Sequence, residues 1–222
     1  MDESKNKVYT NTGNTDVINL LPAGTKYILD IGCGDGSTAT LLIKRNCVID
    51  GITISEDEKA IAKLVMRNVY VYNVEAGLPM QGAAMYDAVI CSHVLEHICY
   101  PSQLIKDIHR VLKTNGVLIV ALPNIMHYQS RWMLMKGNFN YQQAGIWDYT
   151  HFRWYTFHSA QQLLNEHYFK IEVATVTGTL PFNRLFKKIL PPAISRFLYL
   201  CLTNISKGFF GYQLLYKSIK ID

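Results

Sequence analysis

Tyr27-Ile28-Leu29-Asp30-Ile31-Gly32-Cys33-Gly34-Asp35-Gly36 is the stretch that decides the fold. A short apolar run ends in an acid and breaks into glycines at alternate positions. Ser37 to Arg45 then reads as a helix, with Ser37 near its start. The order is strand, tight turn, helix N-terminus. Glycine lets the backbone turn sharply and lets a ligand approach with no Cβ in the way. The helix start adds unpaired N–H groups. A dinucleotide-binding turn would be spaced G-x-G-x-x-G. Here the glycines are spaced G-x-G-x-G, and Ser37 stands where the third dinucleotide glycine should be. Asp30, two residues before the first glycine, suits a ligand carrying an ammonium group better than a pyrophosphate.

Outward from this turn, strands and helices alternate. Thr15 to Leu21 predicts a short helix, and Met1 to Gly13 a polar, frayed start. Further strands are expected at Val48–Ile52, Val69–Tyr72, Tyr86–Cys91 and Val117–Leu122. Ser55-Glu-Asp-Glu opens a helix with acids in its first turn. The near-continuous apolar run of Tyr86–Cys91 is that of a strand buried on both faces. A helix from Pro101 to Leu112 stops at Lys113-Thr-Asn-Gly116. Ser159–His167 resumes as helix, Lys170–Thr177 as strand, and Tyr212 to Ile219 as a last strand. Such alternation predicts a doubly wound α/β fold with a parallel sheet, with ligands beyond the carboxyl ends of the strands.

The D-x-G-x-G-x-G pattern of Asp30 to Gly36 resembles motif I of class I S-adenosylmethionine (SAM)-dependent methyltransferases. Gly51-Ile-Thr53-Ile54-Ser55 looks like that superfamily's G-x-D/E-x-S, with Thr53 at the ribose-gripping acid. Asn73-Val74-Glu-Ala-Gly-Leu-Pro79 resembles its D-x-E-x-G-L-P, with Asn73 in place of the adenine-binding acid. Asp50 is expected to point to the opposite face of its strand from Thr53. The resemblance implies a Rossmann-like, seven-stranded, mostly parallel sheet. It also implies SAM as cofactor, S-adenosylhomocysteine as product, and a donor site of Asp30, Gly32, Cys33, Gly34, Gly36, Thr53, Ile54, Asn73, Val74 and Ser92. An amide oxygen at Asn73 can still accept from the adenine amino group.

Cys91-Ser92-His93-Val-Leu-Glu96-His97 resembles the V-L-E-H segment of small-molecule methyltransferases. Ubiquinone-pathway O-methyltransferases carry a metal-binding E-x-x-E-H here. In this chain His93 replaces the first Glu, and no metal ligand is assigned. The inverzincin spacing H-x-x-E-H is also present, but after a buried strand rather than in a long helix. Glu96 and His97 read as residues that hold loops together.

Residues 125–157 are rich in aromatics and His, with poor periodicity, where an insertion would cover the site. Leu122-Pro-Asn124, His127, Gly137 and Trp147-Asp148-Tyr-Thr150-His151-Phe-Arg153-Trp-Tyr155-Thr156 resemble the P-N … G … D-x-T-H-x-R-x-[FY]-T pattern. It occurs in MetW-like proteins and in methyltransferases of glycan and natural-product clusters. His151, His93 and His97 are the catalytic candidates. His151 is the preferred general base, because its unperturbed pKa is near neutral, and a loop-locking role for it stays open. Asp148 and Arg153 either pair or position the acceptor.

The chain has 222 residues and 49% apolar content, enough for one domain with a full core. The expected division is residues 25–122 for the cofactor, 123–157 over the acceptor, and 179–210 as a basic amphipathic elaboration. No run approaches a membrane span of about 18 apolar residues, and no secretory signal is expected. Cys33, Cys47, Cys91, Cys99 and Cys201 form no C-x-x-C pair and read as reduced thiols of a cytoplasmic protein. Net charge is +5, and between Val173 and Ile221 there are seven Lys or Arg and no acid. Ile194, Phe197, Leu198, Cys201, Leu202 and Ile205 fall on one helical face, flanked by Arg184, Lys187, Lys188, Arg196 and Lys207. That stripe either caps the fold, buries itself in a homodimer, or lies on an anionic membrane at the inner surface. Nucleic acid is not expected as a partner. The function read from all this is methyl transfer to a small-molecule or glycan-linked acceptor, on a hydroxyl oxygen. A non-catalytic partner of the MetW type is the alternative. A nicotinamide oxidoreductase is disfavoured by Ser37.

Overall fold

The computed structural model describes residues 13–181 and 189–221. Within them the chain forms strands β1 (Tyr27–Ile31), β2 (Val48–Thr53), β3 (Asn68–Val71), β4 (Tyr86–Ser92), β5 (Leu112–Pro123), β6 (Phe169–Thr177) and β7 (Gln213–Lys220). The helices are α1 (Thr15–Leu20), α2 (Ser37–Leu42), α3 (Glu56–Ala62), α4 (Pro101–Val111), α5 (Tyr128–Met135), α6 (Phe157–Asn165), α7 (Pro192–Ile205) and α8 (Lys207–Phe210). The frayed start expected for Met1 to Gly13 falls outside the described residues except for Gly13. So do Arg184, Lys187 and Lys188 of the basic flank.

One seven-stranded sheet runs in the order β3-β2-β1-β4-β5-β7-β6. β1 pairs in parallel with β2 and β4, and β4 with β5. β7 is antiparallel to both β5 and β6. The chain winds outward from β1 through β2 to β3, then returns to add β4 on the other side of β1. Strand order therefore reverses between β1 and β4, and ligands of open α/β sheets bind at such a point. Ile31 is in register with Cys91 there.

Alternation along the central strands splits the core in two. Leu29, Ile31, Val89, Cys91, Leu118 and Val120 face α4, whose Leu104, Ile105, Ile108 and Val111 are fully buried. Ile28, Ala88, Ile90, Ile119 and Ala121 face α1, α2 and the Ala62 end of α3. Burying one such aliphatic side chain contributes roughly 1.5–3 kcal/mol, so the two layers fix the sheet rigidly under its carboxyl edge. Asp50 points away from Thr53, as its position in the strand requires. Its carboxylate accepts from Arg67 Nε at 2.9 Å, Asn68 Nδ2 at 3.0 Å and Tyr86 Oη at 2.9 Å. Burial alone would raise its pKa, but these donors outweigh it and hold the carboxyl below the usual range.

Several boundaries differ from the sequence reading. β5 begins at Leu112, and Lys113–Gly116 forms a bulge in it rather than a loop, because Tyr86 pairs with Leu112 and Ala88 with Val117. α5 lies inside the insertion and carried no amphipathic signal. Its one buried residue is Ser130, whereas Trp132, Leu134 and Met135 are exposed. α7 turns Tyr199 and Thr203 inward and leaves Ile194, Phe197, Leu198, Cys201 and Ile205 exposed. The apolar stripe thus does not cap the fold. Among the described residues no helix is long and apolar enough to cross a membrane.

Candidate functional site

The glycine bend sits on the carboxyl edge at the β1/β4 switch. Gly32, Gly34 and Gly36 all have positive φ, at 73°, 53° and 84°, a region that L side chains avoid. Space forbids a side chain as well. A Cβ on Gly32 would meet Val94 Cγ2 at 2.5 Å, and one on Gly36 would meet Val65 Cγ2 at 2.9 Å. The N–H groups of Gly32 and Cys33 both donate to Ile52 O, at 2.9 and 3.0 Å, which anchors the bend on β2. Asp30 is buried beneath it, and burial pushes its carboxyl pKa up to about 7.

The remaining donor-side candidates ring the same edge. Thr53 ends β2, and Ile54 beside it is exposed. Asn73 Oδ1 accepts from Glu75 N at 3.0 Å and so starts the turn containing buried Val74. Ser92 ends β4, and its Oγ accepts from Asn14 Nδ2 at 3.2 Å. These residues share one edge of the sheet, as the sequence reading required.

Past β4 the chain turns at His93, a non-glycine residue with φ of 56°. Backbone held in this region stores strain, and such strain gathers at functional sites. His93 Nδ1 contacts Glu96 Oε1 at 3.1 Å, and Nε2 contacts Gln213 Oε1 at 2.7 Å. Gln213 Oε1 also accepts from Asn14 Nδ2 at 3.1 Å. With an acceptor facing each nitrogen, this geometry favours the doubly protonated ring, the imidazolium. Burial works against that charge, yet Glu96 and Gln213 outweigh it and raise the His93 pKa above its ordinary value.

The insertion docks on the same turn. Phe152 N and Arg153 N donate to Glu96 O at 2.9 and 3.0 Å, and Arg153 Nε donates to Cys99 O at 2.7 Å. Asp148 Oδ1 accepts from Thr150 N at 2.9 Å and from its hydroxyl at 2.7 Å. Of the two readings open for Asp148 and Arg153, their mutual pairing is not what the structure shows: one closes the Thr150 turn and the other grips a backbone carbonyl. Thr150 O accepts from His97 Nδ1 at 3.2 Å, and Ile146 O from His151 Nδ1 at 3.1 Å. With Nδ1 engaged in this way, Nε2 is the second ring nitrogen of each histidine. The two rings meet edge to face, 4.7 Å between centroids.

Glu96 is wholly buried, and its Oε2 has no hydrogen-bond partner. Glu96, His97 and His151 each bring a ligand-type atom within 4.8 Å of the others. Burial lowers the His151 pKa against the opposing pull of Glu96, which favours the neutral ring. Two histidines with carbonyl-bound Nδ1–H groups and one carboxylate are a donor set that can take a proton or hold a first-row divalent cation. His151 is thus one member of a cluster rather than a solitary base. His127 stands apart, buried against Tyr128 and Tyr212, with its pKa lowered by burial to about 4.

The family model described as "Methionine biosynthesis protein MetW" matches residues 12–186. The chain belongs to this MetW family. It is also 31% identical over 105 residues to a ubiquinone biosynthesis O-methyltransferase of Acinetobacter baumannii, a match covering 45% of this chain and 44% of that one. The chain therefore spans under half the length of that curated relative. Among solved structures, a SAM-dependent methyltransferase from Archaeoglobus fulgidus aligns with a TM-score of 0.61 at 18% identity, covering 93% of this chain and 90% of that one. Another, from Mesorhizobium loti, aligns with a TM-score of 0.63 at 15% identity, covering 93% and 96%. The MetW match and this shared fold place the chain in the class I SAM-dependent methyltransferase superfamily.

Asn14, Glu58 and Gln213 were not singled out by the sequence. Asn14 precedes a short helix, Glu58 is one acid among three, and Gln213 lies 120 residues from the histidine it meets. No local pattern announces the long-range partners of Asn14 and Gln213.

In an NMR titration His93 should become neutral at a pH above the free-imidazole value of about 6.5, with His151 below it. Glu96→Gln should bring His93 down. A His93 that titrates below His151 would contradict the imidazolium geometry.

Proposed function

We propose that this MetW-family chain is a SAM-dependent methyltransferase whose acceptor is a hydroxyl of a small or glycan-linked molecule. The observation that carries the reading is the glycine bend at the β1/β4 switch with Asp30 buried under it. A pocket of bare backbone beside a carboxylate suits the amino acid end of SAM. Asp30 would face the ammonium group, and the backbone of Gly32, Cys33, Gly34 and Gly36 the carboxylate and chain. Thr53 would meet the ribose, Ile54, Asn73 and Val74 the adenine, and Ser92 the approach to the sulfonium. The likeness to an O-methyltransferase favours oxygen as the methylated atom. We read residues 25–122 as the donor half and 123–157 as the cover over the acceptor, within a single domain.

Transfer is an in-line displacement. The acceptor oxygen bonds to the methyl carbon, the carbon–sulfur bond breaks, and its electron pair stays on sulfur in S-adenosylhomocysteine. The donor is already activated, so the protein has chiefly to align the reactants and exclude water. The hydroxyl proton leaves toward the Glu96–His97–His151 cluster, where His151 is assigned as base. A divalent cation held by the same atoms would serve that end by lowering the hydroxyl pKa. The second reading, a non-catalytic MetW-type partner, is favoured by Thr53 and Asn73 in place of the usual acids.

The outward stripe of α7, with exposed Arg196 beside it, is assigned to peripheral contact with anionic lipid. A twofold dimer through this acid-free face would bring like charges together.

Calorimetry should show S-adenosylhomocysteine binding that weakens as pH falls from about 8 to about 6. Protonation of Asp30 near pH 7 removes the charge that holds the ammonium group. No heat at high micromolar ligand would favour the partner reading. His151→Ala should lower turnover by about a hundredfold and leave S-adenosylhomocysteine affinity within about twofold. Equal losses would make His151 structural, and activity that survives chelation would assign the proton to the ring itself. The protein should sediment with anionic vesicles, less so at high salt, and Phe197→Glu should abolish this. A stable dimer by light scattering with no vesicle binding would turn the stripe into a subunit interface.

A further inference from the structure

β2 ends without the carboxylate that its position calls for, yet a carboxylate reaches that point from the next helix. Glu58 Oε2 accepts the hydroxyl proton of Thr53. Thr53 Oγ1 accepts from Ser55 N at 3.2 Å, and Ser55 Oγ accepts from Glu58 N at 3.3 Å. The three side chains close a ring at the strand end, and Thr53, Ser55 and Glu58 are 4%, 1% and 4% exposed. The first turn of α3 holds three acids, and helix-dipole attraction accounts for acids there. It does not account for burying one of them, which costs several kcal/mol unless partners compensate.

Orientation explains the burial. Glu58 and Ala62 are one turn apart and share a helical face. Ala62 packs at the bend itself: a Cβ on Gly36 would lie 3.1 Å from Ala62 Cα. Glu58 is therefore turned toward the glycine bend, at the end of α3 nearest the carboxyl edge. Its charge is felt at the Cys33 thiol, whose pKa is raised first by burial and further by Asp30 and Glu58.

We propose that Thr53 and Glu58 act together as the ribose-reading acid of this chain, with the hydroxyl at the strand end and the carboxylate behind it. By donating to a carboxylate, Thr53 Oγ1 becomes a stronger acceptor, because hydrogen bonds in a chain polarise one another. A hydroxyl offers two lone pairs. Ser55 N takes one, and the other is left for a ribose hydroxyl. The pair thus supplies, across two elements, what a single Asp or Glu at position 53 would supply from one. Glu58 is a positioning residue in this scheme. The inference rests on the SAM reading above and adds how the ribose is recognised.

Calorimetry with S-adenosylhomocysteine and with its 2′,3′-dideoxyribosyl analogue tests it, with thermal unfolding as the check on folding. Glu58→Gln should weaken S-adenosylhomocysteine about tenfold, on the order of one charge-assisted hydrogen bond, and leave the dideoxy analogue unchanged. Adding Thr53→Asp to Glu58→Gln should restore the affinity to within about twofold. If Glu58→Gln does not fold, Thr53→Val replaces it, with the same loss expected for the diol ligand alone. Unchanged affinity for S-adenosylhomocysteine, or equal losses for both ligands, would overturn the proposal while leaving the donor reading intact. A wild-type protein that binds neither ligand would overturn the donor reading, and this inference with it.

Discussion

The contact between Gly32 and Val94 is the constraint on which the site depends. A methyl group of Val94 occupies the place where any side chain at position 32 would begin. That closeness joins the bend after β1 to the turn after β4. The turn in turn carries Glu96, whose carbonyl holds Phe152 and Arg153 of the insertion. The glycine bend, the histidine turn and the insertion are thus one connected body. A side chain at position 32 would push them apart together, so the glycine is demanded by packing as much as by its backbone angle.

Charge follows the same geometry. Asp30, Glu58 and Glu96 are carboxyl groups buried within this small region. Burial of a carboxyl is costly unless it is compensated, and each has a different compensation. Asp30 is shifted toward its neutral form. Glu58 is closed into a ring with Thr53 and Ser55. Glu96 meets the raised pKa of His93 on one oxygen and leaves the other without a partner. Three carboxyl groups in one small region thus meet the same cost in three different ways.

The parts of this arrangement visible in the sequence are those encoded by consecutive residues. Asp30 to Gly36 announced the bend because glycine at alternate positions after an apolar run has few other uses. Tyr86–Cys91 announced a central strand because both of its faces are buried. The Thr150–Arg153 segment could be placed over the site, but not its partners, since Glu96 O and Cys99 O lie more than 50 residues away in the chain. α5 escaped notice because it packs one small residue and shows no apolar face. Pairing of Asp148 with Arg153 is one of two readings open in the sequence, because opposite charges lie close in the chain. Each found a nearer backbone partner, and a backbone group carries no sequence signature.

The position of β7 has a temporal meaning. It follows the other six described strands in the chain, yet it lies between β5 and β6 and brings Gln213 to His93. Until it arrives, β5 and β6 have open edges facing each other, and the histidine turn lacks the amide that fixes its ring. Such late, long-range pairing is slow and leaves strand edges exposed to other chains. During synthesis the bend after β1 and the parallel strands around it can therefore form well before Gln213 arrives to fix the histidine turn.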